Sequence, residues 1–281
     1  MTVRSFWQNL KDTFKDFGED RAMRLAAAMA YYSIFSLGPL LFVAITVAGW
    51  VMGEAAVRGQ VGELLKGFIG EQSAKIVESM MAGPKLGQNI LATVIGIATL
   101  LLGAGGLFGQ LQDALNTIWE VKPKPGRGIW GLIRSRFLSM AMVLGLGFLL
   151  LISMVLTTTA EAVTAQAGQI LPVPDAVVGI MSVVVSFLVV TLFFAIVYKV
   201  LPDVKVHWRD VWMGAVFAAM LFTIGKYLLS LYLGKQATSS TYGTAGAFVV
   251  ILLWVYYSSI ILFLGAEFAQ VYAHRRGAAL G

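Results

Sequence analysis

The stretch GAFVVILLWVYYSSIILFLGAEFAQVY, Gly246–Tyr272, decides the fold, because it carries a single charged side chain, Glu267. A helix rises about 1.5 Å per residue, so one drawn through this stretch covers the ~30 Å hydrocarbon core of a bilayer with room to spare. Lipid offers the backbone no hydrogen-bond partners, so a spanning segment must satisfy its own N–H and C=O groups as a helix. Five more blocks upstream have comparable length and apolar character: Leu25–Met52, Asn89–Phe108, Phe137–Thr157, Val177–Tyr198 and Val211–Leu233. The ten-residue alternating segments of a membrane barrel are absent. The expected class is all-α: a polytopic membrane protein with about six transmembrane helices and amphipathic interfacial helices.

Composition agrees. Of 281 residues, 58% are hydrophobic and 13% charged, and mean hydropathy is +0.79. Soluble domains run about 45–50% apolar and about 25% charged. The absence of cysteine rules out disulfides, thiol catalysis and cysteine-held metals. The two histidines, His207 and His274, stand far apart, each beside an arginine, and neither has a ligand partner at metal spacing. No cofactor or metal is expected, and no catalytic constellation stands out.

The net charge of +6 reads as topology. Fifteen Lys and Arg residues fall before span one, after spans two, four and six; five fall in the other three loops. Positive residues mark the cytoplasmic side, so both termini are expected in the cytoplasm of a multi-pass protein of the bacterial inner membrane. Nucleic acid is not an expected partner, and membrane lipid is. The first 24 residues hold five bases and four acids without a continuous apolar core, unlike a signal peptide.

No linker divides the chain, so residues 1–281 are expected to form one membrane domain. An interfacial helix occupies 1–24, with Phe6, Trp7, Leu10, Phe14 and Phe17 on one face and Lys11, Asp12, Lys15 and Asp16 opposite. The transmembrane bundle runs over 25–273. The outer loop 53–88 reads as helical, with stripes at Val57, Val61, Leu64, Leu65 and Phe68 and at Ile76, Val77, Met80 and Met81. After span two, Gln110–Val121 is amphipathic and stops at Lys122-Pro123-Lys124-Pro125-Gly126.

Charges inside spans are costly and point to function. Two qualify, Lys226 and Glu267. Helix rise places them about 20 Å apart in depth, so they belong to different sites. Glu267 lies at the depth of Arg21 and Arg24, and a pair closing the cytoplasmic end is expected there. Lys226 either snorkels to the outer headgroups or faces a cavity that attracts an anion. Ser36 and Pro39 mark a break in span one, since a proline frees a backbone carbonyl. The hydroxyl- and glycine-rich turn 238–246, which includes Tyr242 and Gly243, joins spans five and six.

Three stretches, Leu25–Leu40, Leu111–Trp119 and Tyr242–Gly246 continuing through Leu253–Tyr257 to Gly265–Glu267, together resemble the YihY/virulence factor BrkB family of bacterial inner-membrane proteins. The resemblance implies six spans and an association with serum resistance or envelope lipid export. Some members bear the older name ribonuclease BN. The family pattern supplies no catalytic residues. The matching polar positions are Ser36, Pro39, Asp113, Asn116, Tyr242, Gly243 and Glu267. The expected function is a transporter or translocation factor for an anionic or lipid-like envelope substrate. The alternative is a non-transporting membrane scaffold or envelope assembly factor. A nuclease would need clustered carboxylates or histidines and a basic face beyond the topology charges, and the sequence offers neither. Lys226, Glu267, Ser36, Pro39, Tyr242 and Gly243 are candidates for the substrate path. Arg21, Arg24, Asp113 and Asn116 are polar candidates at the cytoplasmic end.

Overall fold

A computed structural model describes residues 3–81, 106–121, 175–236 and 243–277, which are helical with short turns and contain no strand. In chain order the helices are α1 (Val3–Glu19), α2 (Ala22–Met52), α3 (Glu54–Ile69), α4 (Glu71–Met81), α5 (106–118), α6 (Asp175–Val200), α7 (Trp208–Gln236) and α8 (Gly243–Arg275). Segments within α6, α7 and α8 (Val183–Val200, Trp208–Leu228 and Gly246–Arg275) are long and apolar enough to cross a membrane. Each of these helices extends a few residues past the apolar block that announced it. A helix end can carry polar side chains into the interface while its backbone bonds continue. The 31-residue α2 contains the expected first span whole. Most of the expected second span and all of the third lie outside the described residues.

α8 is the axis. It touches α1, α2, α3, α4 and α7. Small residues set its packing against α7. A Cβ built on Gly214 would come within 2.4 Å of the Gly265 carbonyl and 2.6 Å of the Ala269 Cβ, so the two backbones meet there. A Cβ on Gly225 would strike the Tyr257 ring. Together these contacts fix an antiparallel register in which residue 214 faces 265–269 and residue 225 faces 257. Where lipid replaces water, such close small-residue crossings bring helices together through dispersion contacts. Around the crossing, Phe217 stacks on Phe268 with ring centroids 4.5 Å apart. α6 joins through Tyr198, whose buried hydroxyl donates to the Leu262 carbonyl at 2.7 Å. Tyr198→Phe is expected to cost about 1 kcal/mol, the usual net value of such a bond. Unfolding of the detergent-solubilised variant by a denaturing detergent would measure it.

The two ends of α8 carry different caps. At its N-terminal end, α3 and α4 fold back over the bundle, with Gly53 (φ +85°) between α2 and α3 and Gly70 (φ +81°) between α3 and α4, a left-handed backbone that only glycine adopts without strain. Val57 and Val61 bury against Ile45, and Ile69 and Val77 against Ile251. Ser73 donates to the Ala247 carbonyl at 3.1 Å. Outward, the acids and bases of the loop form pairs one turn apart: Arg58 with Glu54, Lys66 with Glu63 and Lys75 with Glu71. The described part of this loop is helical over Glu54–Ile69 and Glu71–Met81, and residues 82–88 lie outside the described residues; Leu64, placed in the apolar stripe, is half exposed.

At the other end lie both termini. α1 docks along the last turns of α8, with Phe6 against Phe268 and Asp12 paired to Arg275. The aromatic face expected of α1 divides in two. Phe17 enters the core together with Asn9 and Thr13, one helical turn apart, while Phe6, Trp7 and Phe14 stay exposed. Two partners explain the split. The Asn9–Thr13–Phe17 stripe seats on the bundle, and the large aromatics on the adjoining stripe remain for the membrane interface.

Candidate functional site

Glu267 stands at the junction of these terminal elements. It lies on α8 two residues past Gly265, one helical face round from the α7 crossing, and its side chain is completely buried. Neither carboxylate oxygen accepts a hydrogen bond from any donor among the described residues. The group that faces it is a second acid, Asp20 of the α1–α2 turn, within hydrogen-bonding reach. Asp16, one turn earlier on α1, and Glu120, at the end of α5, add negative charge from two further sides.

The expected pair of Glu267 with Arg21 or Arg24 does not form. Both arginines are exposed. The physical reason lies in the turn. Arg21 has φ 53°, a left-handed conformation that L-residues adopt at a cost. The chain reverses there, directing Asp20 inward and Arg21 to the surface. Glu120 has the same left-handed backbone at φ 53°, so two strained non-glycine residues flank one acidic cluster. Burial raises the Asp20 carboxyl above the ordinary carboxylate range; the facing Glu267 carboxyl opposes this, and Glu120, Asp16 and Glu19 add to it. Burial likewise raises Asp16, with Lys15 pulling the other way.

The remaining candidates distribute as follows. Asn116 is buried and forms a two-point clamp, its amide donating to Asp203 Oδ2 at 3.0 Å and its Oδ1 accepting from the Asp203 N–H at 2.8 Å. Gln112 donates to the Leu201 carbonyl at 3.2 Å, so α5 is pinned to the α6–α7 connection. Asn116 therefore positions α5, and sequence reading could not separate that role from a site role. Asp113 is exposed on the same helix, its carboxyl raised by partial burial and by Asp203. Ser36 is buried and donates to the Ser33 carbonyl at 3.1 Å. α2 runs as one helix through Pro39, and α8 opens at Gly243. Tyr242 and the rest of the 238–242 turn lie outside the described residues.

Lys226 is half-buried on α7 beside the Gly225–Tyr257 contact. That contact sits ten residues up α8 from Glu267, a rise of about 15 Å. Lys226 and Glu267 thus stand about 15 Å apart along the bundle, against the ~20 Å read from their sequence positions. His207 and His274 are both exposed. Among the described residues, no three His, Asp or Glu side chains gather closely enough to hold a metal ion.

The sequence profile of the virulence factor BrkB family matches residues 13–281, taking in α1's second half, the acid cluster and the α7–α8 crossing together. The chain belongs to the virulence factor BrkB family. Its similarity to individual proteins is moderate and runs nearly end to end. The UPF0761 membrane protein of Albidiferax ferrireducens is 29% identical over 266 residues, 94% of this chain and 62% of that protein. The UPF0761 membrane protein of Azotobacter vinelandii is 28% identical over 267 residues, again 62% of its length. The chain thus spans less than two thirds of these relatives. The ribonuclease-like protein YfkH of Bacillus subtilis is 27% identical over 263 residues and matched over 92% of both chains. No solved structure matches. Membership in the BrkB family and likeness to named membrane proteins agree with the apolar helices in making this a membrane protein.

Proposed function

We propose that this BrkB-family protein is a transporter or translocation factor of the bacterial inner membrane, moving a lipid-like or anionic envelope substrate. Both termini, and with them the acid cluster, face the cytoplasm in this reading, and six spans cross the bilayer. The observation that carries it is Glu267. An acid buried among other acids, without a donor, weakens a helix bundle, and a protein that only scaffolds has no use for that cost. Lys226, half-buried on α7 about 15 Å further along the bundle, sets a second charge among the apolar helices. The exposed aromatics of α2, Tyr31, Tyr32 and Phe35, offer an amphipathic face suited to lipid.

The α7–α8 crossing, where backbones touch at Gly214 and Gly265, favours the second reading, a rigid scaffold or assembly factor. Reconstitution separates the two. Protein in liposomes with labelled phospholipid or lipid-linked sugar is expected to move label between leaflets, and Glu267→Gln and Lys226→Ala each to reduce the rate at least tenfold at unchanged protein level. Movement at the rate of empty liposomes assigns the scaffold role. The reading includes no enzymatic activity, and the ribonuclease-like name of YfkH stays with that protein.

A further inference from the structure

The geometry points to a proton-binding site formed by Asp20 and Glu267, filled from the end of the bundle where the termini lie. A carboxylate has acceptors and no donor, so two facing carboxyl groups can bond only when one of them holds a proton. Glu267 is completely buried, and no described donor reaches either of its oxygens. Asp20 lies within hydrogen-bonding reach and is itself only partly buried, standing between Glu267 and solvent. Shared protonation is the arrangement that satisfies both groups, as in other close carboxyl pairs.

The surroundings favour a proton over fixed compensation. α1 presents Asp16 and Glu19 as well as Asp20, with Lys15 beside Asp16. The end of α5 presents Glu120. From α2, Arg24 in the first turn is exposed, and Arg21 before it also faces solvent. α7 contributes Asp210, whose charge is engaged by Arg276 at 3.2 Å. α6 contributes the Tyr198 hydroxyl, which is committed to the Leu262 carbonyl. Among the described residues, the charged groups named here as near the pair are therefore acidic, turned to solvent or already engaged. Metal ligation would need a third convergent carboxylate, and among the described residues no such trio exists. Asp16 and Glu120 instead form an acidic approach that draws cations toward Asp20 and leaves Glu267 as the inner acceptor. If the protein transports, this site couples substrate movement to protons; that clause rests on the function proposed above, whereas proton binding does not.

The test uses the full chain in phospholipid nanodiscs, with no substrate added. Infrared spectroscopy at neutral pH is expected to show a protonated-carboxyl absorption, although free Asp and Glu ionise near pH ~4. The absorption is expected to correspond to about one carboxyl per chain and to disappear in both Glu267→Gln and Asp20→Asn, with each variant still monodisperse. Should either variant misfold, the wild-type protein answers by itself. Dicyclohexylcarbodiimide adds a protonated carboxyl O–H across its C=N bond, and mass spectrometry should place that adduct on Glu267 or Asp20. Absence of the absorption from wild-type protein, its persistence in both folded variants, or adducts confined to other residues would overturn the proposal. Because no substrate enters, a failure of transport in liposomes leaves this result untouched, and the converse holds.

Discussion

Gly214→Leu is expected to leave almost no monodisperse protein after solubilisation. The contact it breaks is backbone against backbone. A first side-chain carbon at residue 214 would sit 2.4 Å from the Gly265 carbonyl oxygen, and neither partner is a flexible tip that can swing aside. Overpacking a well-filled interior costs roughly 1–3 kcal/mol, and more where backbone must move. Here α7 would be levered off α8, carrying with it the Phe217–Phe268 stack and the buried Asp210. Size-exclusion chromatography in detergent reads the result. Gly59→Ala on α3, where no atom lies within 4 Å of the new carbon, is the control. It should hold or gain about 0.5–1 kcal/mol, because alanine restricts the unfolded chain more than glycine does. If Gly214→Leu ran as a symmetric peak with wild-type thermal stability, the register of the central crossing would be wrong.

Glu267→Gln is expected to separate stability from function, making the protein more robust while stopping it from working. The amide keeps the volume and supplies the donor that Asp20 lacks. Relieving a buried polar group of its unmet demand is worth on the order of 1–3 kcal/mol. Thermal unfolding in detergent would show the gain beside the loss of substrate movement in liposomes. The pH dependence follows from Asp20, whose carboxyl is raised by burial above its unfolded value. Between the two values the folded state holds the proton more tightly than the unfolded state, so stability is greatest in acid and falls as pH rises through the folded-state ionisation. Asp20→Asn should flatten that slope, raising stability at neutral pH and leaving it unchanged in acid. A wild-type protein that grew more stable from acid to neutral pH in this range, with Asp20→Asn sharing the trend, would contradict the assignment.

Much of this architecture could be read from residue order, because bilayer thickness acts on each span separately. α2, α6, α7 and α8 appear within a few residues of their apolar blocks, and the paired charges of α3 and α4 forecast a surface cap. The neighbours of Glu267 were not legible in the same way. Sequence placed Arg21 and Arg24 at its depth, and opposite charges invite pairing. Which side of a turn faces inward depends on one backbone angle at residue 21, and a non-glycine left-handed residue leaves no mark in the sequence. Asp16 and Asp20, one helical turn apart and adjoining the apolar side of α1 at Phe17, were the available signal. The split face of α1 was hidden for a related reason. A stripe of Asn9, Thr13 and Phe17 carries too little hydrophobicity to announce that it will be covered.

The docking of α1 on α8 also orders events during synthesis. α1 is made well before its seat on α8, as the 263 residues separating Asp12 from Arg275 require. Until α8 leaves the ribosome, Phe6, Trp7 and Phe14 can only hold α1 against the headgroups, with its Asn9–Thr13 stripe unsheltered. A nascent chain thus keeps an open flap until α8 has been made and can shut it only then. Chains halted before Gly243 would keep that flap open permanently, giving quality-control proteases a marker of incompleteness at the end of the molecule farthest from the defect.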